Sequence, residues 1–205
     1  MGAHKLIVPP EEYPVALSDL VSVHIKVDDT DEEAGLITEY IIAATERVQD
    51  LLQRQLMQVT WEYHMKDFSE MDCNGYVRLL KAPLVQVVSV KYYDADNNEQ
   101  TMDPADYQVD ITSCPGRIRF IGSLPSVYDR HDAIKIQYKA GYGAVDATID
   151  QQRTAISTHG ASRAKVGILR AVADFYEHRQ DESPTQSYQL NEGIIAWLNP
   201  LRLYL

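Results

Sequence analysis

The stretch that most limits how this chain can fold runs from Leu84 to Phe120, LVQVVSVKYYDADNNEQTMDPADYQVDITSCPGRIRF. Val85, Val87, Ser89, Lys91 and Tyr93 alternate with Leu84, Gln86, Val88, Val90 and Tyr92, and β-branched and aromatic residues at period two specify a strand. Asp94 to Gln100 is rich in side chains that bond their own backbone, so it closes a hairpin onto a short return strand near Thr101 and Met102. Asp103 to Asp106 make a second turn, after which Tyr107, Val109 and Ile111 point one way and Gln108, Asp110 and Thr112 the other. Cys114, Pro115 and Gly116 turn the chain again, into Arg117 to Ile121. The expectation is an antiparallel meander with one wet and one dry face.

More strands flank it. In Gln58 to Phe68, Val59, Trp61, Tyr63 and Met65 alternate with Thr60, Glu62, His64 and Lys66; Tyr76 to Leu80 gives a shorter strand, and Ile134, Ile136 and Tyr138 a last one ending at Gly141-Tyr142-Gly143. Before this β region, Pro9, Pro10 and Pro14 make residues 1 to 16 an extended arm suited to lie on a neighbour. From Leu17 to Val27 two readings stand: Ser18 is a good N-cap for a helix, while Val21, Val23, Ile25 and Val27 alternate as in a strand. Asp28 to Glu33 start a long helix, with Thr30 and Glu33 spaced as a capping box and acidic side chains at the positive end of the dipole. Leu36, Ile37, Tyr40, Ile41, Ala44, Val48, Leu51, Leu52 and Leu56 recur at three and four residues, carrying that helix to about Gln55. Its polar face holds Glu39, Glu46, Arg47, Asp50, Gln53 and Arg54, which in the simplest reading are merely solvated.

After the β region, Ala144 to Gly160 reads as a polar connector with a short helix from Ala147 to Ile156, stopped by His159 and Gly160. Ser162 then caps a helix with Val166, Leu169, Val172, Ala173 and Tyr176 on one face and His178 and Arg179 in its last turn. Asn191 caps a further helix, Glu192 to Leu198, which Asn199 and Pro200 stop. The tail, Leu201 to Leu205, is apolar, and such a tail either docks on its own core or meets a partner. The fold class expected is α+β: residues 1–58 and 144–205 as a helical body, residues 59–143 as an antiparallel β insert.

Charge narrows the function. Lys and Arg number 19 against 30 Asp and Glu, a formal net charge of -11. The excess is greatest in the first 58 residues, with 4 basic and 11 acidic groups. Nucleic-acid binding draws most of its affinity from cations neutralising phosphates, and no basic stripe is visible. Acidity serves instead to keep a protein soluble, or to keep DNA from sticking where it must pass by. Cys73 and Cys114 are too few for a secreted disulfide framework. No apolar run approaches a membrane span, and MGAHKLIVPP lacks the apolar core of a signal peptide, so synthesis in the cytoplasm and no membrane partner are expected.

No catalytic constellation is visible, and no cofactor is expected. The six histidines stand far apart, none at metal-ligand spacing to another His or Cys. Asp94, Asp96 and Asn98 mimic the opening of a calcium loop, but Glu99 stands where that loop's glycine belongs. Gly141 and Gly143 are too few to cradle a phosphate.

The order of pieces resembles one known family. PVALSDLVSVHIKVD at 14–28, IIAATERVQDLLQRQL at 41–56, VTWEYHMKDF at 59–68, LLKAPLVQVVSVKYYDADNNEQTMDPADYQVD at 79–110, IKIQYKAGYG at 134–143 and AVADFYEHRQ at 171–180 are similar to the head-tail connector (adaptor) proteins of long-tailed bacteriophages and gene transfer agents. Each motif is soft by itself, and the specificity lies in their order and spacing. The resemblance implies a helical body interrupted by a β insert. It also implies copies assembling as a ring, a dodecamer in the finished virion, at the head-tail junction between the portal and a tail-side stopper or tail protein, with DNA passing through. It favours helix over strand at 18–26. Ala144 to Gly160 departs from the family's short proline-led lead-in. Within that frame Trp197, Leu201, Leu203, Tyr204 and Leu205 are candidates for the portal contact, and Glu39, Glu46 and Asp50 for a channel lining or subunit interface. The alternatives from other classes are an enzyme or enzyme subunit with a hydrolytic site near Asp94, Asp96 or His131, and a DNA-binding module.

Overall fold

The computed structural model describes residues 2–21, 31–177 and 190–204. The chain divides into two compact units: the N-terminal segment through Pro10 with Gln58–Asp146, and Glu11–Met57 with Ala147–Tyr204.

Among the described residues the first unit holds eight strands: β1 (Ala3–Val8), β2 (Val59–Met65), β3 (Tyr76–Leu79), β4 (Leu84–Tyr93), β5 (Glu99–Thr101), β6 (Tyr107–Asp110), β7 (Gly116–Phe120) and β8 (Ile134–Ala140). They form two antiparallel sheets, β1-β2-β8-β4-β5 and β3-β7-β6. The single meander expected for Leu84 to Phe120 is therefore corrected. β4 and β5 pair as a hairpin, but β6 does not continue their sheet; it pairs with β7 in the other. The cause is local. Met102 is buried and donates its N–H to Val90 O, and Asp103 then caps a single 3-10 turn, Pro104–Asp106, that carries the chain out of the first sheet instead of reversing it.

The proline-punctuated arm is also more than an arm. Ala3–Val8 pairs with β2, Leu6 opposite Trp61, so the N-terminus clusters with the β unit although residues 1–58 were expected with the helices. Pro9 and Pro10 end that strand because proline cannot donate to a ladder.

In β8 the alternation is strict: Ile134, Ile136, Tyr138 and Ala140 are buried and the residues between them are not. β4 breaks it. Bulges between Leu84 and Gln86 and between Val87 and Ser89 place Val87 opposite Tyr138 and Val90 opposite Ile136, so residues three apart share the core face. Val77, Leu79 and Ile118 of the smaller sheet meet Met65, Val90 and Ile136 of the larger in one apolar cluster. Gly116 permits the approach, since a Cβ there would run into the side chain of Leu84.

The second unit is helical: α1 (Leu17–Val21), α2 (Asp31–Leu52), α3 (Ile149–Ile156), α4 (Ser162–Glu177) and α5 (Glu192–Leu198). α1 is the described part of the helix-or-strand stretch; residues 22–30, with the Thr30 cap, lie outside the described residues, as do His178 and Arg179. In α2, Ile37, Tyr40, Ile41, Ala44, Val48 and Leu52 are buried, while Leu36 at the edge of the predicted stripe is 38% exposed. α2 stops three residues before Gln55. Gln53 is left-handed (φ 54°), and the Gln49 side chain turns back to accept from Leu56 N–H at 2.9 Å. Tyr40 meets Phe175 of α4 edge to face, ring centroids 6.1 Å apart.

The predicted break at His159 and Gly160 is absent. α3 opens with a capping box, Thr148 and Gln151, and runs through a π-helical turn, Ser157–Ala161, directly into α4. Ser162 is helical itself (φ -54°, ψ -32°) and is no N-cap. Thr158 Oγ1 and His159 Nδ1 both lie within hydrogen-bonding distance of Ala155 O, so side chains serve carbonyls of the widened turn, and the helix bulges where it was expected to end. α5 follows the sequence reading: Asn191 accepts from Gly193 N–H at 2.9 Å. Gly167 of α4 lets α5 come close, because a Cβ there would stand 2.9 Å from Leu198 Cδ2.

Candidate assembly surfaces

The C-terminal segment is held by its backbone and leaves its aromatics outside. After α5, Asn199–Leu201 form a 3-10 turn. Arg54 Nε donates to Leu201 O at 2.9 Å, and Leu203 N–H donates to Leu52 O at 2.9 Å. Leu52 O is among the last carbonyls of α2, which have no donor inside their own helix, so the tail completes the helix end. Leu201 and Leu203 are half-buried there. Tyr204 is 76% exposed, with the Arg202 guanidinium 5.5 Å from its ring centre, and Trp197 is 40% exposed. Leu205 lies outside the described residues. The four described candidates thus divide into two half-buried leucines and two aromatics facing solvent.

Trp197 has neighbours that sequence reasoning missed. Arg163 and Arg170 of α4 bring their guanidinium carbons to 5.1 Å and 5.6 Å from its ring. Among the described residues, no carboxylate stands within ion-pair distance of either guanidinium. Only half of the signal was available: the seven-residue spacing puts the two arginines on one face of α4, but says nothing of Trp197 on α5.

Glu39, Glu46 and Asp50 are all exposed on α2. At about 100° per residue they fall within roughly 40° of one another, opposite the buried stripe. The structure brings these three together on one face. Nothing among the described residues neutralises them.

The residues of the alternative readings have local roles. Asp94 Oδ1 accepts from the N–H groups of Asp96 and Asn98 at 3.0 and 2.9 Å, and Oδ2 accepts from Gln100 Nε2 at 2.9 Å. These bonds, that from Asn98 first, hold its carboxyl below the usual range. It closes the β4–β5 turn, in which Asn97 takes φ 63°. His131 lines an open hollow of about 580 Å³ with Lys66 and Arg130. Both cations there are engaged, Lys66 with Asp129 at 3.1 Å and Arg130 with Asp132 at 2.6 Å. Among the described residues, no group of three His, Cys, Asp or Glu side chains could hold a metal ion, and no helix is long and apolar enough to cross a membrane.

A buried polar cluster stands at the edge strand of the larger sheet. His4 Nδ1 lies 3.0 Å from Tyr138 Oη, and the His4 ring stacks at 4.6 Å on Tyr63. Burial first, and the positive charge of Lys81 second, lower the His4 pKa to about 4. Burial pushes the Tyr138 phenol up.

The whole chain has structural counterparts. Chains in the neck of an empty gene transfer agent particle resolved with C6 symmetry, and in the virion of a native gene transfer agent, superpose with TM-scores of 0.73 and 0.72. They are 16% and 15% identical, and the match covers 99% and 98% of this chain and 96% of each counterpart. A chain from the neck of a native particle resolved with C12 symmetry matches at TM-score 0.63 and 16% identity, over 100% of this chain and 96% of its own. The fold is shared from end to end. No family model and no curated protein sequence matches the chain.

Proposed function

We propose that this protein is a structural, non-enzymatic component of a phage-like virion: a head-tail adaptor whose copies form a ring between the portal and a tail-side stopper or tail protein, with DNA passing through. The observation that carries the reading is the near-complete fold match to chains from the necks of gene transfer agent particles, in which neither partner has a large unmatched domain. The neck structures were resolved with sixfold and twelvefold symmetry, which favours a dodecameric ring here too. The anionic surface supports passage of DNA without capture, since fixed negative charge repels phosphates. The protein is made in the host cytoplasm and ends in the virion.

Trp197 and Tyr204 form the portal contact, with Leu201 and Leu203 setting the tail that presents Tyr204. Aromatic side chains of this kind, exposed beside arginines, are the usual anchors of protein interfaces. Glu39, Glu46 and Asp50 serve the ring itself, as channel lining or subunit interface.

The test is electron microscopy of the purified protein, alone and mixed with its portal protein. Rings, or added density on the portal, are expected. A protein that stays monomeric and leaves the portal undecorated overturns the adaptor reading. Tight duplex binding at physiological salt would overturn the acidic-channel part alone.

A further inference from the structure

Closed rings of one protein are built from heterologous contacts, in which one face of a copy meets a different face of the next. Such an assembly needs two complementary surfaces on every copy. The helical unit carries a pair that fits. On one side stands the Arg163–Trp197–Arg170 sandwich, two exposed guanidinium groups flanking a partly exposed indole, in a chain whose formal net charge is -11. On α2 stand Glu39, Glu46 and Asp50, exposed and stacked on one face.

Both sets lack ion-pair partners among the described residues, unlike two cations near them. Lys165, two residues from Arg163, is held by Asp19 at 3.1 Å, and Arg153 is held by Glu12 at 2.7 Å. Two neighbouring cations of the unit are thus paired, whereas Arg163 and Arg170 at Trp197, like Arg202 at Tyr204, stand against an aromatic ring with no ion pair among the described residues. Arginine and tryptophan are the residue types that most often dominate interface energetics, and an arginine stacked on an aromatic ring keeps its N–H fork free for carboxylates.

We infer that the Arg163–Trp197–Arg170 patch of one copy docks on the Glu39–Glu46–Asp50 face of α2 in the next copy, and that this charge-complementary contact closes the ring. The inference rests on the ring reading above and gives it a subunit interface. It assigns the three carboxylates to the interface instead of the channel lining, and moves Trp197 from the portal contact to the subunit contact, leaving Tyr204 for the portal. The spacings agree: Arg163 and Arg170 are seven residues apart on α4, as Glu39 and Glu46 are on α2, so each pair spans about two turns or ~10 Å. Two guanidinium groups can therefore each meet a carboxylate in register.

Charge swapping in the full-length protein tests this. One variant carries Arg163→Glu and Arg170→Glu; a second carries Glu39→Arg, Glu46→Arg and Asp50→Arg. All five positions are exposed, so both variants keep the wild-type circular dichroism spectrum and Tm. Self-association is read by sedimentation velocity and negative-stain microscopy, alone and on the portal. Each variant by itself should lose at least about tenfold in association, as like charges then oppose each other at every contact. An equimolar mixture should restore rings, because copies alternating between the two variants meet only opposite charges.

If wild-type rings form and neither variant weakens them, or the mixture fails to rescue, the interface is wrong and the ring reading survives. If the wild type forms no ring with or without the portal, the ring reading fails and takes the interface with it. If the arginine variant loses duplex DNA binding shown by the wild type while its self-association is unchanged, the patch is a phosphate contact and the inference is overturned.

Discussion

Acid should loosen the edge of the larger sheet through one residue. His4 sits on β1 with its ring against Tyr63 and its Nδ1 on the Tyr138 hydroxyl, and Lys81 is the charged group that adds to its burial in lowering its pKa from 6.5 to about 4. Between those two values the unfolded chain binds a proton that the folded chain does not. Stability therefore rises with pH across this window, is complete above the unfolded pKa, and is lost as pH falls from 6.5 towards 4. At about 1.4 kcal/mol per pKa unit the full shift sets a ceiling near 3.4 kcal/mol, and the partial exposure of the ring reduces the expected loss to about 1–2 kcal/mol. His4→Asn removes the titration and keeps an acceptor near the position of Nδ1. Urea unfolding of both proteins at about pH 7 and about pH 4.5 isolates the effect, because carboxylates that titrate elsewhere cancel in the difference. Wild type should lose about 1–2 kcal/mol more than the variant over that interval. Amide exchange in Ala3–Val8 should quicken first, since β1 is paired only with β2. Equal losses in the two proteins would refute the argument that a half-buried neutral imidazole holds this edge.

Gly167→Ala forces a methyl to 2.9 Å from Leu198 Cδ2, a side chain with no exposed surface, so it should cost about 1–2 kcal/mol despite the better helix propensity of alanine. Leu198→Ala alone should cost about 2–5 kcal/mol by the cavity it leaves, and the double variant should be less destabilised than the sum; strict additivity in chemical denaturation would show that the two positions do not press on each other. Tyr204→Ala should weaken portal attachment with no change in Tm, whereas deleting Leu201 to Leu205 should abolish attachment and also lower Tm, because it removes the Leu203 bond to Leu52; a truncated protein that still binds the portal would remove the tail from the contact. Asp110 is held far below the ordinary carboxylate range by the Ser113 and Thr112 hydroxyls, the Ser113 amide and Arg117, so Asp110→Asn should lower Tm at neutral pH. The gap should close as pH falls below the ordinary carboxylate range, because the wild type then loses its charge too; a pH-independent gap would contradict that.

Signals that act within a few residues were readable in the sequence. The period-two runs at Val59–Met65 and Ile134–Ala140, the three-and-four stripe of α2 and the Asn191 cap of α5 all mark elements near the expected boundaries. Pairing across distance was not. Ala3–Val8 reads as an arm because its partner, β2, lies more than fifty residues away, and nothing in LIV says which edge it will join. The two-sheet division of Leu84 to Phe120 depends on Met102 entering the core at the end of a three-residue strand too short to show alternation. His159 and Gly160 looked like a stop because a π-helical turn tolerates, by widening, the residues that end an α-helix. Among the site residues, the acidic face of α2 followed from helical spacing, while the Arg163–Trp197–Arg170 sandwich joins two elements whose contact no single window contains.

The position of β8 has a consequence for how the protein is born. Among the described strands it is the last to leave the ribosome, and it lies between β2 and β4. Until Ile134–Ala140 emerges, β2 lacks its inner neighbour and β4 has only the three-residue β5, so two apolar strands wait with open edges. Strand pairing at such separations is slow and exposes a chain to wrong partners. A chain that stalls before Ile134 therefore cannot close the sheet, and its two apolar strands stay open to wrong partners until the last strand arrives.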